Sequence, residues 1–202
     1  MEKRKKYGIY GGSFDPIHIG HVALADSAVR ECGLDKLIFM PTYISPFKQD
    51  RQVTDGHDRC GMIEAALKSN SAFCLSRYEL NRKGTSYTVE TLRHWKKLLD
   101  GELYFLLGFD SAVQVDTWYK GEEILTDYHL ITARRPDTDY EKGLQILDSF
   151  RKKYGASITV MNMPPVDASS TKIRNLIKEG KSVAGLVPPG VEEYIIEHKL
   201  YK

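Results

Sequence analysis

Short apolar runs alternate with longer stretches in which apolar residues recur every three or four positions, from one end of the chain to the other. Tyr7–Tyr10, Leu37–Met40, Leu103–Leu107, His129–Ala133 and Ile158–Met161 are runs of the first kind, and Ala72–Leu75 is a shorter candidate. Runs this short and this apolar read as strands buried on both faces. The longer stretches predict helices over Ile19–Cys32, about Asp55–Lys68, Ser86–Leu99, Tyr140–Lys153 and Val191–His198. Another runs from a cap at Ser169 or Ser170 to Gly180. Gly33 stands where the first helix should stop, and Ser86 where another should be capped. In the second helix, Met62, Ile63, Ala66 and Leu67 make the apolar face. Strands alternating with helices predict an α/β fold, a Rossmann-like parallel sheet with helices on both faces. Such sheets bind ligands beyond the carboxyl ends of their strands, at the switch point. With no internal repeat and no linker, residues 1–202 read as one domain.

Composition narrows the partners. Apolar residues make up 42% and charged residues 28%, enough for an ordinary core. A formal charge of +2 argues against nucleic acid and against an anionic membrane as partners, and leaves a homo-oligomer open. Lys3–Lys6 reads as a solvated lead-in to the first strand. Cys32, Cys60 and Cys74 are odd in number and lack a C-x-x-C spacing, so they read as buried or neutral free thiols in a reducing compartment. Met1–Lys6 runs into Gly8 and Gly11-Gly12 rather than an apolar signal core. The apolar runs are far shorter than the ~20 residues of a membrane span. The expected location is cytoplasmic.

The chemistry concentrates at Gly11-Gly12-Ser13-Phe14-Asp15-Pro16-Ile17-His18-Ile19-Gly20-His21, between the first strand and the first helix. Backbone N–H groups and the helix dipole favour an anion at such a place. His18 and His21 are three apart and share a helical face, where two imidazoles could donate to phosphate oxygens or ligate a metal. No third His or Cys stands nearby in sequence to complete a metal set, so the phosphate reading is preferred. A second helix start, Asp167-Ala168-Ser169-Ser170-Thr171-Lys172-Ile173-Arg174, offers hydroxyls and a cation one turn on, either as a plain cap or as another phosphate cradle. Gly108-Phe109-Asp110 follows a buried strand, where a carboxylate could hold a ribose or cap a helix.

These segments resemble the nucleotidyltransferase superfamily marked by H-x-G-H. The fuller G-G-S-F-D-P-I-H-I-G-H, with S-S-T-x-I-R at Ser169–Arg174 and G-x-D at Gly108–Asp110, resembles bacterial nicotinate mononucleotide adenylyltransferases. Matches run from Gly11 to Tyr201. The resemblance implies a nucleotidyltransferase fold and an ATP site of Gly12, Ser13, Phe14, His18, His21, Gly108, Asp110, Arg134, Ser170, Thr171 and Arg174. It also implies an acceptor site, with Thr85 and Tyr87 of the Gly84–Thr88 loop beside the nicotinate and Trp118-Tyr119 supplying a stacking ring. Ser13 and Lys48 would complete that acceptor site. His18, His21, Lys48 and Arg174 carry the catalytic role by this resemblance. The family's Pro-Pro-His-Lys is here Ser45-Pro46-Phe47-Lys48, so its histidine is missing and only Lys48 carries over. Arg59 and Met62 align with a helix facing the acceptor.

The implied reaction moves the adenylyl group of ATP onto nicotinate mononucleotide, giving nicotinate adenine dinucleotide and pyrophosphate in NAD biosynthesis. A phosphate monoester is largely dianionic at neutral pH, its second pKa being about 6, so attack needs neither a general base nor a covalent intermediate. Mg²⁺ is expected to come with ATP, with no metal ligands from protein side chains. Open beside this are a nicotinamide mononucleotide acceptor, transfer to phosphopantetheine or from CTP, and a non-catalytic nucleotide-binding regulator.

Overall fold

The computed structural model describes residues 4–46, 53–68, 70–134, 139–164 and 166–202. The first strand, β1, covers Lys5–Gly12 and buries Gly8, Ile9 and Tyr10 at its centre. It continues through the glycines expected to open the loop, because Gly11 and Gly12 pair with Met40 and Pro41 of β2 (Lys36–Pro41). Between them lies α1, Ile19–Cys32, ended by Gly33 in the left-handed region at φ 65°, a conformation glycine adopts at no steric cost. Asp55 caps α2 (Gly56–Leu67) by accepting from the His57 N–H at 2.8 Å.

The chain then forms β3 (Phe73–Leu75), α3 (Tyr78–Arg82), α4 (Thr88–Leu98) and β4 (Gly101–Leu106). After β4 come α5 (Phe109–Ala112), a 3-10 turn at Val115–Thr117, α6 (Gly121–Asp127) and β5 (His129–Ala133). The last elements are α7 (Tyr140–Tyr154), β6 (Ile158–Met161), α8 (Ser170–Lys178) and α9 (Pro189–Glu197). Three short helices, α3, α5 and α6, have 5, 4 and 7 residues, too few for a helical period to register in the sequence.

All pairings are parallel, in the order β3-β2-β1-β4-β5-β6. Alternate strand residues supply separate cores on the two faces. Tyr10, Phe39, Leu106 and Ile131 meet Leu24 of α1, Met62 of α2, Ile173 of α8 and Val191 of α9. Ile9, Ile38, Phe105 and Leu130 meet Leu92 of α4, Phe109 of α5, Ile124 of α6 and Leu147 of α7. Burial on both faces is why the strand segments are apolar throughout rather than alternating.

One cap differs from expectation. Tyr87, not Ser86, stands at the start of α4, and the Ser86 hydroxyl instead accepts the Tyr43 N–H at 3.0 Å. Cys60 is buried, Cys32 half-buried and Cys74 exposed; all are free, and burial pushes each thiol's pKa up. Among the described residues no helix is long and apolar enough to cross a membrane. Phe47 and Lys48 lie outside the described residues.

Candidate active site

Neighbouring strands β1 and β4 send their following helices to opposite faces, so a crevice opens where their carboxyl ends part. The loop leaving β1 is held from behind through its carbonyls. Ser13 O accepts from Arg59 Nη1 at 2.9 Å, Asp15 O accepts from Arg174 Nη1, and Pro16 O accepts from the Ser170 hydroxyl at 2.9 Å. These three bonds occupy the loop's carbonyls at Ser13, Asp15 and Pro16. The Tyr201 hydroxyl donates to Asp15 Oδ1 at 2.7 Å, tying the chain's last residues to the same loop. The Asp15–Pro16 peptide bond is cis.

Arg59 is only 2% exposed and donates a second bond, from Nε to Thr54 O, at 2.9 Å. Burial lowers its pKa and the nearby Asp15 carboxylate opposes that shift. The sequence assigned Arg59 loosely to the acceptor pocket, whereas the structure gives it the Ser13 carbonyl. A signal was there to find, since Arg59 precedes Met62, Ile63 and Ala66 by three, four and seven residues and so occupies a core position of its helix. Phe14 has φ 47°, an uncommon backbone state for a residue with a side chain. Its ring packs edge-on against Tyr10 at 5.2 Å and His21 at 5.1 Å. The ring therefore belongs to the core, and what Phe14 can offer ATP is backbone.

His18 occupies the cap position of α1 in extended backbone, 2% exposed, and its ring stacks on His21 at 3.7 Å. The His18 N–H donates to His21 Nδ1 at 3.2 Å. A neutral His21 must then carry its proton on Nε2, where it serves as a donor. Gly20 lets the His18 ring pack closely, because a Cβ there would lie 3.1 Å from that ring and press it aside by a few tenths of an ångström.

Two chambers meet in the crevice. One, of about 250 Å³, is bordered by Gly12, Ser13, His21, Gly108, Asp110 and Arg134. The other, of about 310 Å³, shares Gly12, Ser13, Gly108 and Asp110 and adds Ser86, Thr88 and Trp118. Asp110 lies within α5, which starts from Gly108, so it is not that helix's cap. Trp118 stands edge-on to Phe105 with ring centres 6.3 Å apart. On the Gly84–Thr88 loop it is Ser86 and Thr88, rather than the expected Thr85 and Tyr87, that border the chamber. The Thr85 carbonyl accepts from Arg82 at 2.7 Å, and the Tyr87 ring lies 4.6 Å from that of Tyr119, which is exposed. Thr171 and Arg174 border a third cavity, of about 650 Å³, with Asp15 and Tyr201, and Arg174 Nη2 donates to the Thr171 hydroxyl at 3.2 Å. The structure thus gathers Gly12, Ser13, His21, Gly108, Asp110, Arg134 and Trp118 around one crevice and sets Ser170, Thr171 and Arg174 against the same loop.

Glu79 went unnoticed in the sequence. It is 4% exposed, borders the larger chamber and accepts from the Thr91 hydroxyl at 2.6 Å. Burial raises its pKa, against the pull of Thr91, Ser86, Arg82 and Arg59. The folded chain therefore keeps this proton to higher pH than the unfolded chain does. The resulting stabilisation is complete below the ordinary carboxyl value of about 4.3 and is lost as pH rises through the raised folded value. Melting temperatures taken from pH 4 upward should fall less steeply with pH in Glu79→Gln than in the parent; identical slopes would count against a raised carboxyl.

Comparison with known proteins agrees with this geometry. Residues 9–176 match the cytidylyltransferase-like family model. A probable nicotinate-nucleotide adenylyltransferase of Desulfitobacterium hafniense is 40% identical over 98% of this chain and 96% of its own. One from Clostridium botulinum is 37% identical over 98% of each. The chain belongs to the nicotinate-nucleotide adenylyltransferase family. A solved nicotinic acid mononucleotide adenylyltransferase of Plasmodium falciparum, complexed with NaAD, shares the fold, with a TM-score of 0.79 at 23% identity over 98% of this chain and 97% of that one. Membership accounts for two matched features lying far apart in sequence, the His18–His21 element and the Ser169–Arg174 helix start, which the fold brings to one loop.

Proposed function

We propose that this chain transfers the adenylyl group of ATP to nicotinate mononucleotide, producing nicotinate adenine dinucleotide and pyrophosphate in the cytoplasm. The observation that carries this reading is the pair of chambers with a common wall at Gly12–Ser13 and Gly108–Asp110. Two nucleotides lying one in each would meet at their phosphates over the β1 loop. The smaller chamber suits ATP, with Asp110 toward the ribose and Arg134 at its rim. The larger suits the acceptor, with Trp118 against the pyridine ring and the Gly84–Thr88 loop, through Ser86 and Thr88, near its carboxylate. Lys48 is assigned to the acceptor's phosphate by resemblance.

The acceptor's phosphate oxygen attacks the α-phosphorus of ATP in line with the departing pyrophosphate. Because the attacking group is already largely dianionic, the protein's contribution is alignment and relief of charge. The loop N–H groups and His21 Nε2–H donate to the phosphates, and His18 holds His21 in that tautomer. Ser170, Thr171 and Arg174 keep the loop in place and offer donors to the leaving pyrophosphate.

Mg²⁺ arriving with ATP would supply relief of charge on the phosphates, with the β1 loop and His21 holding the phosphates themselves. The residues fit an ion delivered this way, since the loop presents donors rather than acceptors. Among the described residues no three His, Cys, Asp or Glu side chains converge as a metal set.

The test is pyrophosphate release from ATP and Mg²⁺ with nicotinate and nicotinamide mononucleotide assayed side by side. Strong preference for the acid is expected. Equal rates would overturn acid selectivity while keeping the chemistry, and silence with both would overturn the reaction.

A further inference from the structure

Glu79 lies outside the reaction just described, yet it is built into the wall of the acceptor chamber. The carboxyl sits on α3, and Thr91 of α4 donates to its Oε1 at 2.6 Å. The Ser86 hydroxyl lies near enough to favour its ionised form, while Oε2 is buried with no hydrogen-bond partner among the described residues. A buried carboxyl half satisfied in this way carries a large desolvation cost, which folds tolerate where the group has work to do.

The work is legible in the connections around it. Ser86 Oγ accepts the Tyr43 N–H at 3.0 Å, and the Ser86 N–H donates to Ile44 O at 2.9 Å. Ile44 and Thr85 form a parallel bridge, and Arg82, on the helix that carries Glu79, donates to Thr85 O. The loop after β2 and the loop before α4 are therefore one unit, and Glu79 reaches it at Thr91 in the first turns of α4. That helix start sets its positive dipole end beside the hydroxyl-bearing Ser86 and Thr88, at the chamber wall. Such a donor set rewards a ring carboxylate, which only accepts, more than a carboxamide, which also donates. Its value depends on being held in place before the ligand arrives.

We propose that Glu79 is a specificity-determining positioning residue, which sets the preference for the acidic acceptor by fixing the start of α4 from beneath. This rests on the acceptor assignment made above. Its action runs through Thr91 and the joined loops rather than through contact with the reacting phosphates.

The test is the ratio of kcat/KM for nicotinate mononucleotide to kcat/KM for nicotinamide mononucleotide, in the parent, Glu79→Gln and Glu79→Ala. A ratio is independent of how much enzyme is folded, so a merely structural role would not move it. Glu79→Ala should lower the ratio roughly tenfold or more, mainly through the acid's KM, which is the worth of a weakened bond to a charged group. Glu79→Gln keeps an acceptor for Thr91 and should stay within about twofold of the parent, the alanine loss being larger than a factor that small. If Glu79→Ala does not fold, Thr91→Val removes the donor with little change of shape and should move the ratio the same way. An unchanged ratio in the alanine or valine variant overturns the proposal, whatever the loss of total activity. A ratio that rises in Glu79→Gln marks a direct charge effect and overturns it as well. A parent enzyme without acid preference would instead overturn the acceptor assignment itself, so the two failures are told apart.

Discussion

Replacing His21 with asparagine is expected to lower kcat for pyrophosphate release by about 10²–10³, the usual cost of one preorganised donor, with the melting temperature within a few degrees of the parent. The asparagine carbonyl oxygen can take the place of Nδ1 and accept the His18 N–H, so the helix start survives. Nothing then replaces Nε2–H on the chamber side. Glutamine makes the opposite exchange: its longer side chain can put an N–H near the Nε2 position while giving up the bond to His18. It should keep more activity and lose more stability. His18→Ala should also cut kcat strongly, and because that ring is buried and supports His21, it should lower the melting temperature too. Steady-state kinetics beside thermal melts of all three variants separate these outcomes. Parent-like turnover in both His21→Asn and His18→Ala would remove the pair from the chemistry.

The second large effect is expected on stability. Arg59→Ala should cost about 3 kcal/mol, because it strips donors from the Ser13 and Thr54 carbonyls and removes one of the cations beside the buried Asp15 carboxylate, leaving Arg174 at 4.0 Å. For a chain of this size that is a fall of roughly 6–12 °C in melting temperature. Arg59→Lys keeps the charge but cannot reproduce a fork that spans two carbonyls, so an intermediate loss is expected. Because the Ser13 carbonyl is one of the contacts holding the loop after β1, kcat should fall in both variants even where the folded fraction is restored by lowering the temperature. Urea unfolding and activity at low temperature provide the check. A loss under about 1 kcal/mol in Arg59→Ala would mean that the loop is held by Arg174 and Ser170 alone.

Much of the architecture could be read along the chain, for a reason visible in the cores. Strands covered on both faces need apolar residues at every position, so Leu37–Met40 and His129–Ala133 announce themselves, and the observed β2 and β5 fall on them. The helix at Ile19–Cys32 was legible to its last residue because Gly33 adopts the left-handed state that ends it. The geometry of the segment from Gly11 to His21 was partly legible because its parts are contiguous: a helix start and two histidines one turn apart act on one another at short range.

What failed was whatever depended on a partner elsewhere in the chain. Ser86 has the composition of a cap, yet it bonds to Tyr43, 43 residues away. Phe14 sits inside the ligand motif, yet its ring faces the core. The bond from Arg174 to the Asp15 carbonyl, 159 residues away, likewise had no local signal. Local sequence by itself determined the alternation of elements, the starts of α1 and α8 and the family, since each rests on propensity, periodicity or contiguous motifs. Only the tertiary structure decided which carbonyls Arg59, Ser170 and Arg174 satisfy, and that His18 lies buried beneath His21. It also decided that Glu79 borders the larger chamber of the crevice. A hydrogen bond between distant residues leaves no periodic trace, and a side chain's partner is set by the packing of whole layers.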